Sequence, residues 1–448
     1  MTKKKGEINL DKKESLNIYL CGPTVYDHVH VGNLRSIILF DLLRNLLNYL
    51  GVKTNWVNNI TDIDDKIIGK SQELNRSEKE VSDEYTRAFF SVLSCFRISL
   101  KDIIFPRVTD YLEEIKAFIE KMEKKNLTYE NNEDVLFDLG KINEQEYGRL
   151  SGQKTGNLKR KNFHLKKPEE VSDFVLWKKT EKGKKWDSKW GLGRPGWHTE
   201  CVVFIDKLFG GNTINIHGGG IDLLFPHHEN ERIQFLAVNG KELSDIWLHV
   251  AHIFWEKEKM SKSLKNVIYA KDFYEKYGSN VLRYIIFSSH YKQTINLSVT
   301  LIENGLNYLE RLSRFLKRLK LFCYLRKIAI LEEKVAAEEN SEVRKAIIKV
   351  LLDNLGTAEV IYFLEELVVV LNKEMSSQNV DAYHFSKVAA DCLWILNLLG
   401  MDFPFLLDNE YNEQEKTLID SWIFFQKERQ FLRADEIRNE LNIKGILP

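Results

Sequence analysis

The sequence predicts an α/β chain: a doubly wound parallel sheet, interrupted by an insertion and followed by an all-helical C-terminal region. Three observations carry that expectation. Short apolar runs alternate with helix-spaced apolar positions at the start of the chain. From Asn126 to Lys189 the pattern turns irregular, polar and basic. Beyond Leu297 glycine becomes rare and helical periodicity dominates.

Element by element, Leu16 to Cys21 reads as a short buried strand and Gly22 to Asn33 as a turn. Leu34 to Leu50 places Leu34, Ile37, Ile38, Leu42 and Leu46 at helical spacing and stops at Gly51. Thr54 to Ile60 suits a second strand. A helix follows from Asp62, with Thr61, Asp62 and Asp64 read as its N-cap and first-turn acids. Tyr111 to Lys125 is amphipathic. Ordered α/β signals return at Val202 to Ile205 and at Thr213 to Ile216, which runs into His217-Gly218-Gly219-Gly220. A last α/β segment spans Ile246 to Ser289. The expected partition is a split sheet domain (1–115 and 190–250), an insertion (116–189), a junction segment (251–298), a helical bundle (299–400) and a small terminal module (401–448).

Bulk properties exclude more than they assign. The 448 residues are 44% hydrophobic and 29% charged with a formal net charge of zero, so a nucleic-acid partner must be argued from local patches. Gln153 to Lys167 and Arg311 to Lys327 are such basic stretches; a solvated surface explains either one equally well. Five cysteines without C-x-x-C spacing (Cys21, Cys95, Cys201, Cys323, Cys392) argue against a disulfide framework and for a reducing compartment. Cys95, Cys323 and Cys392 sit in apolar helical contexts and read as core. With no long uncharged apolar run and a polar N-terminus, the expectation is a cytoplasmic protein without membrane span or secretory signal.

Chemistry concentrates in a few places. In Pro226-His227-His228-Glu229-Asn230-Glu231, a helix would put His227 and Glu231 on one face at i and i+4. Cys21 and Cys201 could complete a Cys₂HisGlu set around zinc, with His228 as the rival ligand. The competing reading is a core cysteine and a packed histidine. His30-Val31-Gly32-Asn33 lies at a strand-to-helix turn, where backbone N–H groups and an imidazole suit phosphate oxygens. Lys259-Met260-Ser261-Lys262-Ser263 offers two lysines that could clamp a pyrophosphate; a charged surface loop is the alternative.

Five stretches together settle those alternatives: Cys21–Asn33 (CGPTVYDHVHVGN), Asn59–Ile67 (NITDIDDKI), Gly193–Cys201 (GRPGWHTEC), His217–Glu231 (HGGGIDLLFPHHENE) and Lys259–Leu264 (KMSKSL). The pairing of H-x-G-N with K-M-S-K-S resembles the class I aminoacyl-tRNA synthetases, and the whole set resembles their cysteinyl-tRNA synthetase family, across most of the first 300 residues. The resemblance implies a Rossmann-type catalytic domain that activates L-cysteine with ATP and Mg²⁺ and transfers it to the terminal ribose of tRNA(Cys). It implies one zinc ion per chain, held by Cys21, Cys201, His227 and Glu231, that binds the substrate's sulfur and so makes an editing domain unnecessary. By the same resemblance His30, Asn33, Lys259 and Lys262 serve catalysis. Thr24, His30, Gly32, Asn33, Gly218, Gly219 and Lys262 bind ATP. Gly22, Trp197, His198 and Asp222 line the amino-acid pocket. Residues 116–189 would meet the acceptor end, and Arg429, Phe431, Asp435 and Arg438 the anticodon. A monomer is the family expectation.

The chain also departs from the family pattern. It lacks the usual segment before the first strand, Lys265 replaces a glycine after KMSKSL, and Asp353–Ala358 only loosely matches an acidic family stretch. It stops at Gly445-Ile446-Leu447-Pro448, before the family's usual acidic, tryptophan-containing finish, so anticodon contacts from there are expected to be absent, weaker or supplied otherwise. Two rival activities share many of these features: a cysteine ligase acting on an amino-sugar, and an inactive RNA-binding or regulatory paralogue.

Overall fold

The computed structural model describes residues 7–8, 15–143, 145–153, 173–260, 266–330, 341–406 and 411–447, with only the backbone of Lys259. Two compact units divide the chain. The first comprises Met1–Phe40, Leu47–Ile253 and Lys259–Phe273; the second comprises Asp41–Leu46, Phe254–Glu258 and Tyr274–Pro448.

The first unit is built on a parallel sheet. In chain order its early elements are β1 (Leu16–Leu20), α1 (Val31–Tyr49), β2 (Thr54–Asn58), α2 (Asp65–Leu74), α3 (Glu78–Cys95), β3 (Ile103–Ile104) and α4 (Leu112–Lys124). After an inserted sheet come α5 (Trp197–Leu208), β8 (Ile214–Gly220), α6 (Glu229–Asn239) and β9 (Ser244–Val250). The strand order is β3-β2-β1-β8-β9 and the pairings are parallel. The chain builds outward from β1 to β2 and β3, then returns to the other side of β1 with β8. The reversal leaves a crevice at the carboxyl ends of β1 and β8, the usual place for a ligand in an open parallel sheet. The fold class read from the sequence is therefore the one observed.

Two readings need correction. The stretch after Asn126 is not irregular: β4 (Thr128–Asn131), β5 (Asp134–Phe137), β6 (Phe174–Lys179) and β7 (Gly193–Pro195) form an antiparallel sheet in sequential order. Its inner face buries Val135, Phe137, Phe174, Leu176 and Trp177 in the same core as α4 and α5, and Phe137 stacks on Phe174 at 5.1 Å. The strands are short, and the register shifts between Val135 and Leu136, which blurs the alternation that marks a strand. The basic stretch 154–167 lies outside the described residues.

The second correction concerns the acids after β2. Only Asp64 caps α2, accepting from the Lys66 amide. Asp62 instead accepts from the Thr109 amide and hydroxyl at 3.1 and 2.6 Å, and the Thr61 hydroxyl donates to buried Glu200 at 3.0 Å. These tertiary partners outcompete a local cap.

The second unit is helical. It carries a small sheet of β10 (Ile253–Trp255), β11 (Glu258–Lys259) and β12 (Ile295–Leu297). Helix α7 (Ala270–Tyr277) begins at the unit boundary, followed by α8 (Ser279–Phe287) and α9 (Val299–Arg326). Then come α10 (Glu342–Asn354), α11 (Thr357–Met375), α12 (Ala382–Leu398), α13 (Glu413–Lys427) and α14 (Phe431–Ile443). Buried Asp391 accepts from the Arg344 guanidinium at 2.6 Å and from the Ser341 hydroxyl at 2.5 Å. Such a pair is tolerated in a core because both charges are bonded. Cys323 and Cys392 are buried, as read, while Cys95 is only half-buried. Among the described residues no helix is long and apolar enough to cross a membrane.

Candidate functional site

Four elements bring the predicted metal ligands together. Cys21 follows the end of β1, its amide donating to Gly218 of β8 at 2.9 Å. Cys201 sits in the buried face of α5. A kinked stretch over Leu224–His228, extended at Phe225, leads into α6, and His227 and Glu231 share a face; His227 Nε2 lies 2.7 Å from Glu231 Oε1. The donor atoms of Cys21, Cys201, His227 and Glu231 all lie within 4.8 Å of one another. A second set, Cys21, His217, His228 and Glu231, meets the same condition.

The residues around these ligands form a bonded shell. Glu231 Oε2 accepts from His217 Nε2 at 2.5 Å. His228 Nε2 lies 3.3 Å from the Cys21 sulfur, and its Nδ1 lies 2.8 Å from His249. His198 Nδ1 meets His227 Nδ1 at 3.1 Å, and the Trp197 indole stacks on His227 at 4.2 Å. Trp247 stacks on His217 at 4.5 Å. His217 and His249 carried no assignment from sequence. The strand position of His217, immediately before three glycines, was the available signal.

Burial and charge set the protonation of the cluster. Burial and the Glu231 charge oppose ionisation of Cys201, but the Cys21 hydrogen bond and His227 bring its thiol down to about 6. Cys21 is pushed up by burial and by its bond to Cys201. Burial would lower His227, yet Glu231 and Cys201 raise it to about 10. Burial would raise Glu231, and His217 and His227 hold it well below the carboxylate range instead. His198 and His249 are each lowered to about 3, first by burial. Two thiols, an imidazole and a carboxylate are a donor set that suits zinc.

The predicted phosphate site is assembled differently. The Val31 amide donates to Ile268, the Gly32 amide to His30 Nδ1 at 3.1 Å, and the Asn33 amide to the His30 carbonyl. The first-turn backbone N–H groups of Val31, Gly32 and Asn33 are therefore engaged within the chain, where the sequence reading had them free for phosphate oxygens. With Nδ1 accepting, neutral His30 carries its proton on Nε2. Asn33 Oδ1 accepts from the His30 amide at 3.0 Å, which leaves its NH₂ to donate. A Cβ on Gly32 would stand 2.9 Å from the His30 ring, so this glycine lets the imidazole lie against the backbone. Lys262 lies outside the described residues, as does Lys265, and of Lys259 only the backbone is described.

The remaining assignments are spread around the crevice. Thr24 bridges to Thr61 in parallel fashion, and Gly22 donates to Asn59 Oδ1 at 2.8 Å. A Cβ on Gly218 would meet the Phe40 ring at 2.0 Å, so packing against α1 requires that glycine. Gly219 borders Leu223 and His228. Asp222 is exposed. Glu200, unnoticed in the sequence, is fully buried, and burial pushes its carboxyl well up. In the second unit Arg429, just before α14, and Phe431, Asp435 and Arg438, within its first eight residues, are all exposed.

Known proteins resemble the chain over most of its length. Residues 7–307 match the family model described as tRNA synthetases class I (C) catalytic domain. A cysteine–tRNA ligase of Mycoplasma mycoides subsp. mycoides SC is 42% identical over 438 residues, 97% of each chain. The cysteine–tRNA ligase of Brevibacillus brevis is 38% identical, covering 100% of this chain and 96% of its own. Among solved structures, a Mycobacterium tuberculosis methionyl-tRNA synthetase bound by methionyl-adenylate superposes with a TM-score of 0.61 at 12% identity, covering 90% and 93% of the two chains. A putative arginyl-tRNA synthetase of Campylobacter jejuni gives 0.58 at 14%, covering 89% and 94%. At those identities the structural likeness speaks for the fold alone.

Proposed function

The chain belongs to the cysteine–tRNA ligase family of class I tRNA synthetases, and from that premise we propose that it charges tRNA(Cys) with L-cysteine, selecting its substrate at a zinc ion held by Cys21, Cys201, His227 and Glu231. The single observation that carries the selection step is the meeting of two thiols, an imidazole and a carboxylate in one buried cluster at the strand-order reversal. Of the two overlapping donor sets, the one with His227 is favoured. A ligating imidazole ordinarily bonds a partner through its second nitrogen. His227 has His198 there, whereas His217 Nδ1 is buried without a partner among the described residues.

Zinc bound there supplies a Lewis acid that takes a thiol as thiolate and is a poor match for a hydroxyl. Everything else falls to side chains. Trp197, stacked on His227, and His198 bound the amino-acid pocket, with Gly22 and Asp222 at its edge. ATP, with Mg²⁺, lies along Thr24, His30, Gly32, Asn33, Gly218 and Gly219. The cysteine carboxylate attacks the α-phosphorus, and pyrophosphate leaves. His30 Nε2–H and the Asn33 amide donate to phosphate oxygens, while Lys259 and Lys262 offset charge on the leaving group. Positioning and electrostatics supply the acceleration, with no protein nucleophile. The 2′-OH of the terminal ribose then attacks the adenylate carbonyl and releases AMP.

In this reading residues 1–115 and 190–250 form the catalytic domain, and 116–189 approach the acceptor end. The segment 251–298 joins them to a helical bundle (299–400) and an anticodon module (401–448) that uses Arg429, Phe431, Asp435 and Arg438. The enzyme works as a cytoplasmic monomer. Cysteine-dependent ATP–pyrophosphate exchange, run with metal analysis and followed by tRNA(Cys) charging, tests the whole. Exchange and charging by a zinc-containing sample are expected. An active sample free of zinc, or one that accepts serine equally well, would overturn the proposal.

A further inference from the structure

Helix α6 carries buried bonds on two sides, and the proposed chemistry uses only one of them. His227 and Glu231 meet at the cluster. Glu229, Asn230 and Arg232, also buried, are bonded instead to one short loop at residues 146–151 of the insertion. The Tyr147 hydroxyl donates to Asn230 Oδ1 at 2.6 Å, and the Ser151 amide donates to Glu229 Oε2 at 2.8 Å. The Arg232 guanidinium donates to the Glu146 carbonyl at 2.8 Å and to its carboxylate at 3.0 Å. The same guanidinium reaches Glu242, ahead of β9, at 2.8 and 2.6 Å. The Tyr147 ring stands edge-on to Phe225 at 6.4 Å, so one side chain faces both the stretch before His227 and the turn that carries Glu231.

This turn needs outside support. The chain enters α6 through Phe225 in extended conformation, at φ −142° and ψ 132°, and the helix has no side-chain N-cap bond. Its first turn therefore has neither a continuous helix behind it nor a capping side chain to fix its direction. Yet it must present two ligands at once, and a coordination site is precise only where the residues behind it hold it to within about 0.5 Å. The loop is itself firmly built. Tyr147 and Leu150 are buried, and Gly148, at φ 85°, lets the chain close against the Gln153 carbonyl. Resting on the zinc reading above, we propose that Tyr147 is a positioning residue of the metal site. Through Asn230, with Glu146 and Ser151 beside it, it holds the first turn of α6 so that His227 and Glu231 meet the ion already aimed. The loop lies within the stretch assigned to the acceptor end, which gains a second task on the amino-acid side.

Tyr147→Phe in the full chain removes the hydroxyl and keeps the ring against Phe225. Glu146→Gln is read beside it, since it keeps the backbone bond to Arg232 and weakens only the carboxylate's hold. The readouts are zinc affinity by competition with a chromophoric chelator, the ligand-field absorption of the Co²⁺-loaded form, and KM for cysteine and for ATP in pyrophosphate exchange. A turn released from its support relaxes in the metal-free protein, and binding has to restore it, so the lost bond is felt in affinity. Zinc should bind Tyr147→Phe about five- to tenfold more weakly, the scale of one buried hydrogen bond. The cobalt band should lose intensity as the site departs from tetrahedral, and KM for cysteine should rise while that for ATP stays. Glu146→Gln should move the same readouts by less. Wild-type affinity, cobalt band and cysteine KM in both variants would overturn the inference. A lower melting temperature would not rescue it then, because Tyr147 would be supporting the fold alone. If wild type binds neither zinc nor cobalt, the metal reading falls and this one with it; if wild type loads and both variants match it, this inference falls alone.

Discussion

The sulfur-lined cluster and the His30–Asn33 turn both follow β1, yet they are built from opposite materials. In the cluster, Cys201, His227 and Glu231 are buried, and neighbouring histidines bond His227, Glu231 and Cys21. In the turn, Asn33 is exposed and His30 half-buried, and the backbone bonds serve to hold the side chains outward. The difference follows from the task. Cysteine and serine differ by one atom, and a hydrophobic pocket discriminates poorly between such near-isosteres. A fixed donor set that excludes water can read the atom itself. Phosphate chemistry needs charge and aim rather than a dry enclosure, so accessible side chains suffice.

Removing a ligand should break the comparison most severely. Structural zinc sites are worth about 10–16 kcal/mol over four ligands, so one ligand carries roughly 3 kcal/mol, a little over a hundredfold in affinity. Cys201→Ser should therefore lose metal by that order and lose discrimination in cysteine-versus-serine exchange. Full zinc content with intact selectivity would show that Cys201 is not a ligand. Lys262→Ala should act on the other side only. Zinc content should stay normal while kcat and kcat/KM for activation fall together by roughly two orders of magnitude, as when a transition-state donor is lost. A pure KM effect would place Lys262 in ground-state binding instead.

How much of this was legible beforehand follows the same division. The parallel sheet, the helical tail and the i,i+4 relation of His227 to Glu231 were readable because each rests on local periodicity or spacing. The two cysteines, 180 residues apart, came within reach only through motif resemblance, since no local rule joins them. What stayed hidden was tertiary. Thr61 and Asp62 look like cap residues but bond Glu200 and Thr109. Gly218 looks like a nucleotide glycine, and its missing Cβ makes room for Phe40. His217 and His249 give no signal of their own, because a residue that bonds the cluster from behind is defined by what it faces after folding.

His217 allows the smallest and most specific perturbation. His217→Phe keeps a ring to stack on Trp247 but removes the donor to Glu231 Oε2. On metal binding His227 turns its Nε2 away from donation, so the variant's carboxylate would have lost both bonds. Zinc affinity should fall between about ten- and a hundredfold. The metal-free protein carries a second signature. Burial would raise Glu231, but His217 and His227 depress it well below 4.5. A depressed folded value means stabilisation that is fully present above the unfolded pKa and lost as pH falls through the folded one. Replacing His217 lifts the folded value, so the variant should melt lower than wild type at neutral pH. The gap should narrow as pH drops below about 4.5, where the wild-type advantage is itself titrated away. Thermal melts of both metal-free proteins between pH 7 and pH 3 would read this. A gap independent of pH would make His217 a matter of packing alone.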